Sequence, residues 1–188
     1  NKRVEPAGVS GHRPDELAID SAGNVYVFGT QNFGGNRNMW IKKYSSDGTE
    51  DTTNWDRVMD SGGNADTGTS VAIDPDDSVF LLGDNSAGAN PDFWVKKFSS
   101  DGVEDTTNWN QTFDRDNDEE IATAVAVGPD GDVFVLGSTT FSGTVDWWTL
   151  RLLPDGTQDT GGWNRVYDGG AGDDESPFAL VLELETVN

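Results

Sequence analysis

Cysteine is absent from this 188-residue sequence, which removes disulfide frameworks, zinc-thiolate sites and thiol nucleophiles together. Histidine is almost absent. His12 is the only one, so a Ser-His-Asp triad would have to use it, and zinc hydrolase chemistry lacks ligands. It falls in a loop ahead of the first full repeat, where a solvated histidine is the expectation. Positive charge is scarce, with 12 Lys and Arg against 34 Asp and Glu and a net charge of −22. Such a field repels phosphate backbones and anionic headgroups, which argues against nucleic acid as a partner. No apolar run approaches the ~20 residues of a membrane-spanning helix. The sequence opens on Asn1, with no initiator Met, basic n-region or hydrophobic leader; the expectation is a processed or trimmed chain, extracellular or on the cell surface.

Hydrophobic residues make up only 34% of the sequence, yet it holds seven Trp and nine Phe, so burial must rest on a few large side chains. Carboxylates concentrated in loops attract hard cations such as calcium. An acidic, Lys-poor surface also suits salty surroundings, a second reading of the same numbers.

A 54-residue period organises the chain. Gly29, Gly83 and Gly137 repeat at that interval, as do Trp40, Trp94 and Trp148, the turn pairs Asp47-Gly48, Asp101-Gly102 and Asp155-Gly156, and Trp55, Trp109 and Trp163. Each copy reads as four short strands. Leu17 to Ile19, Val71 to Ile73 and Val125 to Val127 come first. The second strands, Val25 to Phe28, Val79 to Leu82 and Val133 to Leu136, are continuous apolar runs, which implies cover on both faces. Gly, Pro and Asp residues between these two strands supply hairpin dihedrals. The third strands, Trp40 to Tyr44, Trp94 to Phe98 and Trp148 to Leu152, mix large anchors with basic stems that reach water. The fourth run from Trp55, Trp109 and Trp163 to Met59, Phe113 and Tyr167.

Four antiparallel strands per copy, with no helical period, predict an all-β chain: a β-propeller-like array of four-stranded antiparallel blades, three full copies plus terminal partial blades. A linear β-solenoid is the alternative. Residues 1–15 would hold the terminal strand of a partial blade, with Lys2-Arg3-Val4 aligned on fourth strands. Blades 1, 2 and 3 would span 16–66, 67–120 and 121–175, and 176–188 the first strand of a further blade.

The runs Phe98 to Thr106 and Val127 to Gly137 resemble the bacterial delta-60 and seven-bladed propeller (SBBP) repeats. The resemblance covers nearly the whole chain and implies the blade architecture and a place in large secreted or surface proteins; it carries no catalytic residues. The sequence departs from those repeats in its Trp at 55, 109 and 163, where they tend to have Phe, and three copies are too few to close a seven-bladed ring.

The most suggestive chemistry lies in Asp114-Arg115-Asp116-Asn117-Asp118-Glu119-Glu120. Alternating acids can turn several oxygens toward one ion, so Asp114, Asp116, Asp118 and Glu120 are the candidate metal ligands and calcium the candidate ion. The segment lacks the Gly and distal Glu of an EF-hand; its alternative is a solvated acidic turn. Asp60, Asn64 and Asp66, and Asp168, Asp173 and Asp174, occupy the corresponding loops. Ser45 to Gly48 has the Gly of a sialidase Asp-box one position early, and Arg3, Arg57 and Arg165 share one repeat position, so they do not converge. Asp51-Thr52, Asp105-Thr106 and Asp159-Thr160 read as Asx turns. The repeated Trp read as packing anchors, with Trp147 the one expected to be partly exposed. Asn110-Gln111-Thr112 spells a glycosylation sequon but falls on a strand.

A non-enzymatic extracellular scaffold that self-assembles through strand completion at its termini, as a ring or a filament of itself, leads this reading. The alternative is a carbohydrate- or protein-binding propeller module; a glycan-active enzyme comes third.

Overall fold

A computed structural model describes residues 9–33, 35–62, 65–141, 143–170 and 172–181. Among these the regular structure is entirely β. Strands β1 (Val9–Ile19), β2 (Val25–Phe33), β3 (Asn36–Tyr44) and β4 (Arg57–Met59) form one sheet. β5 (Thr67–Ile73), β6 (Val79–Asn85), β7 (Asp92–Phe98) and β8 (Gln111–Phe113) form the second. The third comprises β9 (Glu120–Val127), β10 (Val133–Phe141), β11 (Thr144–Leu152) and β12 (Arg165–Tyr167). Every pairing is antiparallel and follows chain order. No helix among the described residues is long and apolar enough to cross a membrane.

Strand periodicity explains the continuous apolar run of β6. Successive side chains point to opposite faces, so Val79 and Leu81 enter the core shared with the first sheet, while Phe80 and Leu82 enter the core shared with the third. All four are at most 1% exposed. Side chains also join the sheets along their first strands. Glu16 Oε2 accepts from Ser70 Oγ at 2.6 Å and from the Val71 amide at 2.7 Å, and Ser70 Oγ accepts from the Val125 amide at 3.1 Å.

The recurring Gly29, Gly83 and Gly137 share one physical cause. A Cβ at Gly83 would run into the Thr67 carbonyl oxygen and Met39 Sδ; at Gly137 it would meet the Ile121 carbonyl oxygen and the Phe93 ring. The first strand of each sheet shifts register near this glycine, and at Gly83 and Gly137 the preceding sheet presses on the other side.

Several strands run beyond their sequence limits. β1 begins at Val9 rather than Leu17, so residues 9–15 belong to the first sheet. His12 therefore sits on a strand and not in a loop, its Nε2 3.1 Å from Gln31 Oε1 and its ring edge-on to Trp40. Lys2 to Val4 lies outside the described residues, as do 182–188. Residues 173–181 form no strand, and Phe178 is 98% exposed. Trp147 is partly exposed, but Trp163 is open as well. Among the described residues no following sheet covers Trp163, as one covers its counterparts; Trp55, for example, packs on Phe98 and donates to the Ser100 carbonyl at 3.1 Å.

Candidate metal centres at the sheet junctions

Where the chain passes from the second sheet to the third, three carboxylates meet. Asp92 opens β7, Asp114 follows β8, and Glu120 opens β9. A hydrogen bond from the Glu120 amide to the Pro91 carbonyl, at 2.8 Å, ties the start of β9 beside the start of β7. One oxygen from each of Asp92, Asp114 and Glu120 lies within 4.8 Å of the others. Glu120 is wholly buried and accepts from Thr139 Oγ1 at 2.8 Å and from the Arg115 amide at 3.2 Å. Burial pushes its carboxyl up to about 7; those hydrogen bonds oppose the shift, and the charges of Asp92 and Asp114 add to it. Burial, and then the Asp114 charge, also raises Asp92. The group is thus an oxygen-only, anionic cluster of the kind hard cations take.

The exit of the third sheet repeats the arrangement with Asp146, Asp168 and Glu175, again with converging oxygens. The Glu175 amide donates to the Val145 carbonyl at 2.7 Å, matching the bond from Glu120 to Pro91. Asp146 is 0% exposed; among the described residues its Oδ2 has a 3.4 Å contact from Thr144 Oγ1, and its buried Oδ1 has no donor. Glu175 Oε2 is buried without a donor too.

At the first junction the equivalent residues are Asn38, Asp60 and Asp66, and the Asp66 amide donates to the Arg37 carbonyl at 2.8 Å. Here protein donors satisfy the buried carboxylate. Asp66 accepts from the Ser61 amide at 2.7 Å, from Ser61 Oγ at 2.6 Å and from the Ser86 amide at 3.2 Å. These three residues are not among the converging acid groups.

Of the four ligands expected from sequence, Asp114 and Glu120 come together. Asp116 and Asp118 are not members of the cluster. The Asp116 side chain is 70% exposed and lies 3.8 Å from Arg115 Nε. Asp118 closes the turn through its amide, which donates to the Arg115 carbonyl at 3.1 Å. The turn needs left-handed backbone at Asp116 and Asn117, so alternation along the segment does not survive as convergence. Asp92 and Asp146 were missed, although their 54-residue spacing ahead of the Trp of the third strand was a usable signal. Glu175, not Asp174, is the counterpart of Glu120, because one extra residue separates it from Asp168.

The remaining polar repeats have local roles. Asp51 Oδ1 accepts from the amides of Thr53 and Asn54, each at 3.0 Å, and Asp105 does the same for Thr107 and Asn108, each at 3.1 Å. These bonds hold both carboxyls below their ordinary range, slight burial opposing them. Arg57 and Arg165 donate to carbonyls three residues back in their own copies. Asn110 Oδ1 accepts from Trp94 Nε1 at 2.9 Å and from Lys96 Nζ at 3.1 Å. An open groove of about 540 Å³ beside the second junction is lined by Asp114, Arg115, Asp116, Trp148 and Asn164 among others. No protein-family model and no curated protein matches the chain.

Proposed function

We propose that the chain is a non-enzymatic, extracellular or cell-surface structural module, a run of propeller-type blades that associates with further copies of itself by continuing its own sheet-on-sheet stacking. The carrying observation is that, among the described residues, the first and third sheets expose the two kinds of face that meet at the junctions between sheets. Trp55 and Trp109 are at most 1% exposed beneath the following sheet, whereas Trp163 is 44% exposed. Conversely, Val71 and Val125 are at most 7% exposed against the preceding sheet, whereas Leu17 is 60% exposed. An uncovered third sheet in one copy therefore matches an uncovered first sheet in another. Such a head-to-tail contact closes a ring or runs on as a filament.

Light scattering on the whole chain across a concentration series tests this reading. Discrete higher-order species that disappear in Trp163→Asp, with unchanged circular dichroism, are expected. A monomer at every concentration would overturn it.

A carbohydrate-binding reading has one observation in its favour, the exposed pair Trp147 and Tyr167, whose ring centroids lie 5.2 Å apart. Under that reading, oligosaccharides quench Trp fluorescence in the wild type and not in Trp147→Ala.

A further inference from the structure

The geometry points to two divalent-cation sites of calcium type, one formed by Asp92, Asp114 and Glu120 and the other by Asp146, Asp168 and Glu175, each fastening the end of one sheet to the segment that follows it. Three observations carry this. First, the two groups share a construction: one residue stands two positions before the Trp of the third strand, one directly follows the fourth strand, and one is held by its amide to the carbonyl that precedes the first of these residues. Second, the site at the third sheet contains two buried carboxylate oxygens, Asp146 Oδ1 and Glu175 Oε2, for which the described residues supply no donor. An ionised carboxylate carried into a buried place is costly unless a partner meets it. Asp146, at 0% exposure, has no cation among the described ion pairs. Third, the first junction puts the neutral Asn38 in place of the Asp, so that although its buried Oδ1 also has no donor among the described residues, no charge is left unpartnered there, and Ser61 donates through both its amide and hydroxyl to Asp66. Arg115 and Gly169 stand at the position of Ser61 and bring no hydroxyl. The later junctions thus carry an extra carboxylate and lack that hydroxyl.

The donor chemistry narrows the ion. All ligands are carboxylate oxygens, which exclude soft metals, and three carboxylates on separate segments tolerate the loose, water-completed shell of calcium better than the strict octahedron of magnesium. The ion would offset two of the three charges and tie Glu120 to Asp92 and Asp114, and Glu175 to Asp146 and Asp168. This inference stands apart from how copies associate, since each site lies within one chain.

The test uses the whole chain in salt high enough to screen diffuse attraction to the acidic surface. Calorimetry with calcium chloride counts sites, and terbium(III), a calcium mimic, gives luminescence sensitised by Trp147 and Trp148 beside Asp146 and by Trp94 close to Asp92. The variants are Asp92→Asn, Asp146→Asn, their double and an exposed-turn control, Asp76→Asn, that removes the same charge. Asn is tolerated here, because Asn38 already occupies this position in the first sheet, and circular dichroism of the metal-free variants verifies folding. Two ions per wild-type or control chain, one per single variant and none in the double are expected, with calcium displacing terbium at concentrations where magnesium does not. Equal stoichiometry in the wild type and the folded double variant would overturn both sites, and so would heats in the wild type that vanish in high salt. Equal displacement by magnesium would overturn the calcium assignment.

Discussion

The backbone amide of Ala122 donates to Asp84 Oδ1 at 2.7 Å, so a carboxylate near the end of β6 holds the first strand of the next sheet. Thr30 does the equivalent work one junction earlier, its Oγ1 accepting from the Gly68 amide at 3.2 Å. The hydroxyl is neutral, but the carboxylate is not.

Burial pushes the Asp84 carboxyl from 3.8 up to about 7; the Ala122 amide and Arg37 oppose that shift, and the Glu119 charge adds to it. A folded-state value above the unfolded one means that Asp84 contributes stability in full below the unfolded value and loses it as pH rises toward about 7. Asp84→Asn keeps an acceptor for Ala122 and removes the charge. Since one unit corresponds to about 1.4 kcal/mol, the rise from 3.8 to about 7 implies a gain on the order of 4 kcal/mol over wild type near pH 8 and almost nothing near pH 4. Urea denaturation at both pH values measures this; a gain that does not depend on pH would rule out titration of Asp84 as the cause.

Leu81 fills the core between the first and second sheets at 0% exposure. Leu81→Ala should cost about 2–5 kcal/mol through lost burial and a residual cavity. Chemical denaturation gives the value, and a change below ~0.5 kcal/mol would place the side chain in solvent.

Trp109 and Trp163 occupy the same repeat position under different cover, at 1% and 44% exposure. Trp109→Ala should cost about 3–5 kcal/mol. Trp163→Ala should cost less than half as much when measured at concentrations where the chain is monomeric. Equal costs would show that Trp163 is covered within its own chain.

Gly137→Ala forces a methyl into the Ile121 carbonyl oxygen and the Phe93 ring. A loss of ~1–3 kcal/mol or more is expected from overpacking, whereas Gly143→Ala, with nothing within 4 Å of the added carbon, should show only the strain of its positive φ. Thermal melts of the two variants separate crowding from backbone strain, and an equal loss in both would deny the crowding at Gly137.

The four-stranded copies, their antiparallel order and their turn chemistry were legible because each depends on neighbours close in sequence. The alternation of Val79, Phe80, Leu81 and Leu82 reports two covered faces, and Asp51 caps the amides that follow it. Even the repeated Gly29, Gly83 and Gly137 announced a shared constraint, although its cause, a carbonyl of the first strand pressed against each glycine, needed the folded chain.

The converging carboxylate clusters were only half legible. Asp114 and Glu120 sit in a visibly acidic segment, but Asp92 reaches them from the start of β7, brought there by sheet pairing and by the bond from the Glu120 amide to Pro91. One extra residue before Glu175 likewise moved the third carboxylate off the 54-residue count. Periodic sequence determined the strands of this protein, since strand and turn formation are decided by local stereochemistry and side-chain alternation. Its tertiary structure alone decided which carboxylates converge and which Trp stays uncovered, because convergence and cover are set by the segments that packing brings alongside, however far apart they lie in the chain.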